Sequence, residues 1–239
     1  MLTLPGFTFA HDILSANHCL IGGCTGSGKS NLLNCVLYTL TGYNPEDNQC
    51  IIIDLKRIDF TQWQKFPHIL KIVKDPGLVN AYLDMVISEM YDRYSEMERN
   101  KIKICNCCTL YLIIDEINQV TQIPGTIDKL TELSRLARAS DIHLILAGQN
   151  NSRNVKQGGL PACIQQNITC AVGLRCKNKI ESRQIIGQAG CEALPKYGKA
   201  IITEGIETNI VDIPFITEVD INQRYKETMQ YYNINERSL

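Results

Sequence analysis

The sequence contains no long apolar run, and none approaches the roughly 20 residues that a membrane-spanning helix needs. Its first 14 residues lack both the basic start and the long apolar segment of a secretory signal peptide. Internal repeats and low-complexity segments are also missing, and no second domain is apparent. We therefore expect one cytoplasmic domain over residues 1–239 that does not insert into a membrane.

Cysteine is abundant, but its spacing does not indicate a metal site. The eleven cysteines are odd in number, and Cys19, Cys50 and Cys170 fall inside apolar, strand-like runs. This distribution is typical of buried free thiols in a reducing compartment. One C-x-x-C spacing occurs at residues 105–108, but a structural zinc site needs a second pair at similar spacing. Since the sequence has no such pair, we expect no zinc there.

The formal charge of −1 conceals an uneven distribution. Between residues 129 and 183, nine Lys or Arg oppose three Asp or Glu, a balance of +6 that leaves −7 for the rest of the chain. A basic stretch in a neutral chain is typical of a protein that contacts a polyanion with one surface. Charge alone does not distinguish a polyanion-binding surface from basic residues that only keep helix faces solvated.

Apolar runs alternate with helical patterns along the chain. The runs are apolar on both faces, which is typical of parallel strands covered by helices on each side. This alternation predicts an α/β fold of βαβ units, with a mostly parallel sheet, a core over residues 17–213 and a final helix over 221–232. The strand-like runs are residues 18–23, 50–55, 110–117, 142–149 and 168–175. Helical patterns occupy residues 29–39, 78–99 and 126–139. A hairpin is expected over residues 199–213.

The segment "GGCTGSGKSN" (residues 22–31) follows the first predicted strand and opens the first predicted helix. It fits the pattern G-x-x-x-x-G-K-[ST], in which glycines let backbone N–H groups surround phosphate oxygens at a helix N-terminus. We expect Lys29 to neutralise the β- and γ-phosphates of ATP, and the Ser30 hydroxyl to coordinate Mg²⁺. The candidate nucleotide-binding residues are Gly23, Cys24, Thr25, Gly26, Ser27, Gly28, Lys29, Ser30 and Asn31.

Two adjacent carboxylates end the run "LYLIIDEI". We expect Asp115 to hold the Mg²⁺ ion through its water and Glu116 to polarise the attacking water as general base. Because a protein that only binds a nucleotide needs no adjacent glutamate, the pair favours hydrolysis. Gln149 ends the next predicted strand at the same sheet edge, where its amide is expected to contact the γ-phosphate or the water. Asn150 or Asn151 could act similarly.

Together these segments resemble the motor domain of FtsK/SpoIIIE-type DNA translocases, in the FtsK–HerA branch of RecA-like P-loop ATPases. The resemblance extends over residues 17–202. Beyond the two ATP motifs, it includes "IIIDLKRIDFTQW" with the Asp-x-Lys signature of Asp54 and Lys56. It also includes a proline-histidine segment with the strand after it ("FPHILKIVKD"), "LTELSRLARASDIHLILAGQ", and a Ser-Arg segment with a glycine-bearing turn ("NKIESRQIIGQAGCEAL").

The resemblance implies a RecA-like, homohexameric ring that hydrolyses ATP at subunit interfaces and drives double-stranded DNA through its channel. It also implies an arginine that acts on the neighbour's γ-phosphate. Arg138 and Arg183 are the candidates, with Arg183 slightly favoured. Arg153 and Lys156, in the loop after Gln149, are expected to contact the DNA backbone without reading bases. The family's common arginine–proline pair after the glutamine is replaced here by two asparagines.

Cell-division members of that family carry a membrane region, a linker, a further domain and a winged-helix domain in addition to the motor. This chain is therefore expected to be an excised motor, or the stand-alone motor of a mobile element, plasmid or virus. Two alternative functions remain open. One is a related ATPase for protein secretion, conjugative coupling or viral genome packaging. The other is a nucleotide-binding scaffold that does not hydrolyse ATP, against which the acidic pair weighs.

Overall fold

The computed structural model describes residues 8–103, 105–149 and 159–236. Eight strands form one sheet. They are β1 (His18–Gly22), β2 (Asn48–Ile53), β3 (Ile69–Val73), β4 (Thr109–Ile114), β5 (Ile142–Gly148), β6 (Cys170–Gly173), β7 (Lys199–Glu204) and β8 (Glu207–Asp212). The helices are α1 (Thr8–Ser15), α2 (Lys29–Leu40), α3 (Pro76–Asn100), α4 (Ile117–Val120), α5 (Thr126–Leu136), α6 (Ala162–Gln165), α7 (Lys179–Ile186) and α8 (Glu218–Glu236).

The strand order is β3-β2-β4-β5-β1-β6-β7-β8. The first six strands in this order are parallel, whereas β7 is antiparallel to both β6 and β8. Strand β5 therefore lies between β1 and β4, and the ends of all three meet at one edge of the sheet. Two reversals of direction make β8 run parallel to β1, so the chain also leaves β8 at that edge.

Both faces of the sheet are covered, as the apolar runs predict. Along β1, Cys19 and Ile21 face a core formed with α1, α2 and the start of α8. The intervening Leu20 faces a second core formed with α3, α4, α5 and α6. This alternation on two buried faces explains why the strand sequences are apolar throughout. Helix α7 adds Ile185 and Ile186 to a smaller cluster beside β7.

Local sequence signals explain the ends of the longest helix, α3. The Asp75 side chain accepts a hydrogen bond from the Gly77 amide at 2.9 Å, and Pro76 occupies the first helical position, where no intrahelical N–H bond is needed. The helix ends at Asn100, and Lys101 after it takes the left-handed conformation. The predicted start at residue 78 was two positions late, and the predicted end at residue 99 was one position early.

The predicted strands, hairpin and final helix are confirmed, with shifts at their ends. The run at 110–117 stops being a strand at Ile114, because the chain turns there and Ile117 opens α4. The pattern at 126–139 ends as a helix at Leu136 and continues as a 3₁₀ turn. Helix α8 is longer than predicted, and α1 was not predicted although Ala10 and Ile13 are buried.

Two further observations concern the cysteines and the helices. Cys19, Cys50 and Cys170 are buried free thiols, as predicted. Across the described ranges, every helix is too short or too polar to cross a lipid bilayer.

Candidate active site

The predicted catalytic segments meet at the carboxyl edge of the sheet. Gly22 of β1 is in register with Gly148 of β5, and Ile114 of β4 is in register with Leu146 of β5. The glycine-rich loop after β1, the acidic pair after β4 and Gln149 after β5 therefore lie side by side. In open parallel sheets this edge is where ligands bind.

The glycine-rich loop needs its glycines for two reasons. Gly26 and Gly28 have φ values of 72° and 99°, in the left-handed region that strains other residues. At Gly23 the reason is space, because a Cβ atom there would lie 2.6 Å from Ser27 Oγ and 2.8 Å from Leu174 Cβ. The loop leads directly into the N-terminus of α2, where free N–H groups and the helix dipole favour a phosphate.

Lys29 is buried, and its ammonium group folds back over this loop. Its Nζ atom donates to the carbonyl oxygens of Gly23 at 2.7 Å and Cys24 at 3.1 Å. Burial lowers the pKa of Lys29, and the negative charge of Glu116 opposes that shift. The cation is thus held at the glycine-rich loop and within the electrostatic field of the acidic pair.

Asp115 is the candidate metal ligand, and its side chain is almost fully buried. Its Oδ1 atom has no hydrogen-bond partner within the described residues. Burial raises the pKa of Asp115, although Lys56 opposes the shift. A buried carboxylate oxygen without a partner fits a magnesium ion or its coordinated water, since such an atom otherwise carries an uncompensated desolvation penalty.

The other predicted metal ligand, Ser30, donates its hydroxyl hydrogen to Asp59 Oδ2 at 2.8 Å. The hydroxyl oxygen keeps its lone pairs in this arrangement and so remains able to coordinate a cation. Asp59 was not predicted as a site residue. It lies five residues after Asp54, in the segment that carries the Asp-x-Lys signature, and only the folded chain brings it to α2.

Lys56 of that signature lies between the two acids. Its Nζ atom is 3.0 Å from Asp115 Oδ2 and 3.4 Å from Glu116 Oε2. Burial alone would lower the pKa of Lys56, but the two carboxylates outweigh it and the net shift is upward. The sequence indicated the signature without a role for the lysine. The structure makes it the cation that compensates the acidic pair.

Glu116 and Gln149 are joined by two hydrogen bonds. The Gln149 backbone amide donates to Glu116 Oε1 at 3.2 Å, and Gln149 Nε2 donates to Glu116 Oε2 at 2.8 Å. The Thr25 hydroxyl donates in turn to Gln149 Oε1 at 2.6 Å. The glycine-rich loop, the end of β5 and the expected general base are therefore linked in one chain of contacts.

The Asn31 side chain contacts another part of the protein. Its Nδ2 atom donates to the Pro214 carbonyl at 2.8 Å, and its Oδ1 atom accepts from the Ile216 amide at 3.0 Å. Both bonds fasten the segment between β8 and α8 to the start of α2. The side chain is therefore already engaged. The contact with a nucleotide that the motif predicts would be made by the backbone N–H group of Asn31.

The two candidate arginines lie away from this edge. Arg138 is exposed in the 3₁₀ turn Ala137–Ser140, next to the amino end of β5. Arg183 is exposed on α7, and within the described residues its guanidinium makes no hydrogen bond or ion pair. Neither contacts the glycine-rich loop of its own chain, so a role in a neighbouring subunit remains a prediction for both. Arg153 and Lys156 lie outside the described residues.

Comparison with known proteins supports the family resemblance. The family model described as "FtsK/SpoIIIE family" matches residues 6–122. DNA translocase FtsK of Helicobacter pylori strain J99 is 30% identical over 239 residues, an alignment that covers 92% of this chain and 28% of that protein. The chain thus spans little more than a quarter of the length of this relative.

Two solved structures share the fold. The pCW3 conjugation coupling protein TcpA, in its monomer form with ATPγS, has a TM-score of 0.77 at 18% identity and covers 90% of this chain and 66% of its own. The cytoplasmic domain of the type VII secretion ATPase EccC of Thermomonospora curvata has a TM-score of 0.72 at 20% identity, with coverages of 87% and 28%. The expected RecA-like P-loop fold is confirmed.

Proposed function

The chain belongs to the FtsK/SpoIIIE family, and from this premise we propose that it is an ATP-hydrolysing motor that translocates double-stranded DNA. The observation that carries the proposal is the meeting of Lys29, Asp115 and Glu116 at one sheet edge. The loop before α2 would receive the phosphates through its backbone N–H groups. Lys29 would transfer its hydrogen bonds from the loop carbonyls to the β- and γ-phosphates.

Magnesium fits the residues at this edge. Ser30 Oγ and the unpartnered Asp115 carboxylate oxygen would hold the ion. When bound, it would neutralise charge on the phosphates. Glu116 would then accept a proton from the attacking water. Each Glu116 oxygen accepts one hydrogen bond from Gln149 and keeps a further lone pair, so Gln149 would orient the carboxylate while it accepts that proton.

A homohexameric ring in the cytoplasm is part of the proposal. Arg183, and less strongly Arg138, would stabilise the γ-phosphate bound to the neighbouring subunit. Both side chains are exposed and so are available to a neighbour. Arg153 and Lys156 would contact the DNA backbone. The position of Gln149 supports the proposed coupling of hydrolysis to DNA contact, since the segment carrying Arg153 and Lys156 follows directly after a side chain that is hydrogen-bonded to Glu116.

The transported cargo has a specific alternative to DNA, namely a secreted protein. The two structural neighbours are a conjugation coupling protein and a type VII secretion ATPase, so the same fold serves different cargoes. A DNA motor should show ATP hydrolysis that rises with duplex length and weakens with salt. A secretion motor should respond saturably to a peptide signal and not to DNA.

The test measures ATPase rate against duplex DNA length for wild type, Lys29→Ala and Glu116→Gln, with the mass in solution determined for each protein. We expect DNA-stimulated turnover for wild type. Lys29→Ala should lose nucleotide binding, whereas Glu116→Gln should bind ATP and reduce turnover by about 10²–10⁴-fold. Brisk hydrolysis that ignores DNA of any length would contradict the DNA motor. Unchanged behaviour of Glu116→Gln would instead favour the scaffold.

A further inference from the structure

Phe215 has the most exposed aromatic ring among the described side chains, with 76% of its surface accessible. It lies in the short segment between β8 and α8. Isolated exposed apolar residues are common and usually need no explanation. Phe215 differs because the residues around it are fixed while its ring is not covered.

The backbone on both sides of Phe215 is anchored. The Pro214 carbonyl accepts from Asn31 Nδ2 at 2.8 Å and from Cys35 Sγ at 3.3 Å. The Ile216 amide donates to Asn31 Oδ1 at 3.0 Å, and the Ile216 side chain is buried. The ring is therefore presented from a fixed backbone next to the first turn of α2, which opens with Lys29 and Ser30.

The sheet order gives the direction in which a nucleotide would run. The acidic pair follows β4 and Gln149 follows β5, so the γ-phosphate end would lie on the β4–β5 side of β1. In that orientation the nucleoside end would extend towards the other side of β1, where β6, β7 and β8 lie. Because β8 runs parallel to β1, the segment with Phe215 leaves the sheet at the same edge as the glycine-rich loop.

A second exposed aromatic side chain lies at the same end of the hairpin. The Ile213 amide donates to the Gly198 carbonyl at 2.9 Å, which pairs the start of β7 with the end of β8. Tyr197 precedes Gly198 and is also exposed. Two exposed aromatic side chains therefore border the region that the nucleoside would enter.

We propose that Phe215 forms the base-binding side of the nucleotide site by stacking on the purine of the bound nucleotide, with Tyr197 as its neighbour at the rim. The inference rests on the proposed function, since it requires a triphosphate on the glycine-rich loop. Stacking on an aromatic ring accepts any nucleobase, so Phe215 would contribute affinity and little base selectivity. The two bonds from Asn31 would keep the ring in position.

The test compares a ligand that has a base with one that does not. Titration calorimetry with Mg²⁺ would measure the affinity of ATPγS and of inorganic tripolyphosphate for wild type and for Phe215→Ala. We expect Phe215→Ala to weaken ATPγS binding on the order of tenfold and to leave tripolyphosphate binding unchanged. Phe215→Trp should retain wild-type affinity for both ligands, and Tyr197→Ala should cause a smaller selective loss.

Val219→Ala is the matched control, because Val219 is 75% exposed and lies four residues further along the chain. It should bind both ligands as wild type does. Equal weakening of both ligands in Phe215→Ala, or no weakening of either, would overturn the base-binding role. Failure of wild type to bind either ligand, or undiminished binding in Lys29→Ala, would instead overturn the proposed function, so the two failures are distinguishable.

Discussion

Lys56 lies between the carboxylates of Asp115 and Glu116, which the proposed ATP hydrolysis requires close together. Two adjacent buried acids repel each other, and each loses hydration on folding. With its ammonium 3.0 Å from Asp115 Oδ2, Lys56 supplies the compensating charge from within the chain. A magnesium ion near Asp115 would supply charge of the same sign. The lysine and the metal would therefore stabilise the same group, and one would partly replace the other.

This overlap leads to a prediction for Lys56→Met. Without the cation, the buried carboxylate keeps an unpaired charge, and the free energy of unfolding in EDTA should fall by about 1–3 kcal/mol. Mg²⁺ should restore more stability to the variant than to wild type. Denaturant unfolding with and without Mg²⁺ measures both effects. Lys199→Met is the control, because its pair with Asp212 at 2.6 Å is exposed and contributes at most about 1 kcal/mol. Equal responses to Mg²⁺ in both variants would contradict the prediction.

For single residues, the sequence predicts functional roles within one motif but not the side-chain contacts between distant segments. The roles predicted for Lys29 and Ser30 come from the motif alone, because the spacing within one loop determines where those side chains start. The contacts of Asp59 with Ser30, and of Thr25 with Gln149, join residues far apart in the chain. Such contacts depend on which strands become neighbours and on side-chain reach, neither of which is encoded in a local pattern.

At the scale of elements, the segment after β8 is held by the helix that follows the glycine-rich loop. Asn31 is the link, because its amide bonds both the Pro214 carbonyl and the Ile216 amide. The motif predicts Asn31 as a nucleotide-binding residue, and its side chain instead joins α2 to the approach to α8. The start of α2 is therefore joined directly to the segment that precedes α8.

Asn31→Ala should loosen this segment without unfolding the sheet. Removing the amide leaves the Ile216 amide without its bond and the Pro214 carbonyl with only the weak bond from Cys35 Sγ, so we expect a loss of about 1–2 kcal/mol in the free energy of unfolding. Hydrogen exchange should speed up at residues 213–217 and remain unchanged in β4 and β5. Asn209→Ala, at an exposed position on β8, serves as the control and should change neither measurement. Uniformly faster exchange across the sheet would show a global effect and contradict the proposed link.

How well each helix or strand could be predicted depends on its length and on how completely it is buried. Strands β1, β4 and β5 are buried on both faces, so their composition alone identifies them. The eight-residue helix α1 has too few turns for a clear periodicity and was missed. Strand β3 follows a 3₁₀ helix and has exposed positions at Leu70 and Lys71, so it was recognised only through the family resemblance.

At the scale of the whole molecule, two buried histidines make stability depend on pH. His18 accepts a hydrogen bond from the Leu144 amide at 3.1 Å, and burial, aided by the nearby His143, lowers its pKa to about 4. His68 Nε2 is 3.0 Å from the Tyr43 carbonyl, and burial lowers its pKa to about 4 as well. Unfolding releases both rings into water, where the pKa of histidine is about 6.5.

The sign of the effect follows from proton uptake. Between pH 6.5 and 4 the unfolded chain binds protons at both histidines while the folded chain does not, so stability falls as pH falls through this window. Each histidine contributes up to about 3 kcal/mol to that decline, and neither contributes above pH 7. The double variant His18→Asn with His68→Gln preserves the acceptor for Leu144 and the donor for Tyr43. Its unfolding free energy, measured by urea titration from pH 8 to pH 4, should decline less steeply than that of wild type. Parallel curves for the two proteins would show that other groups cause the acid sensitivity.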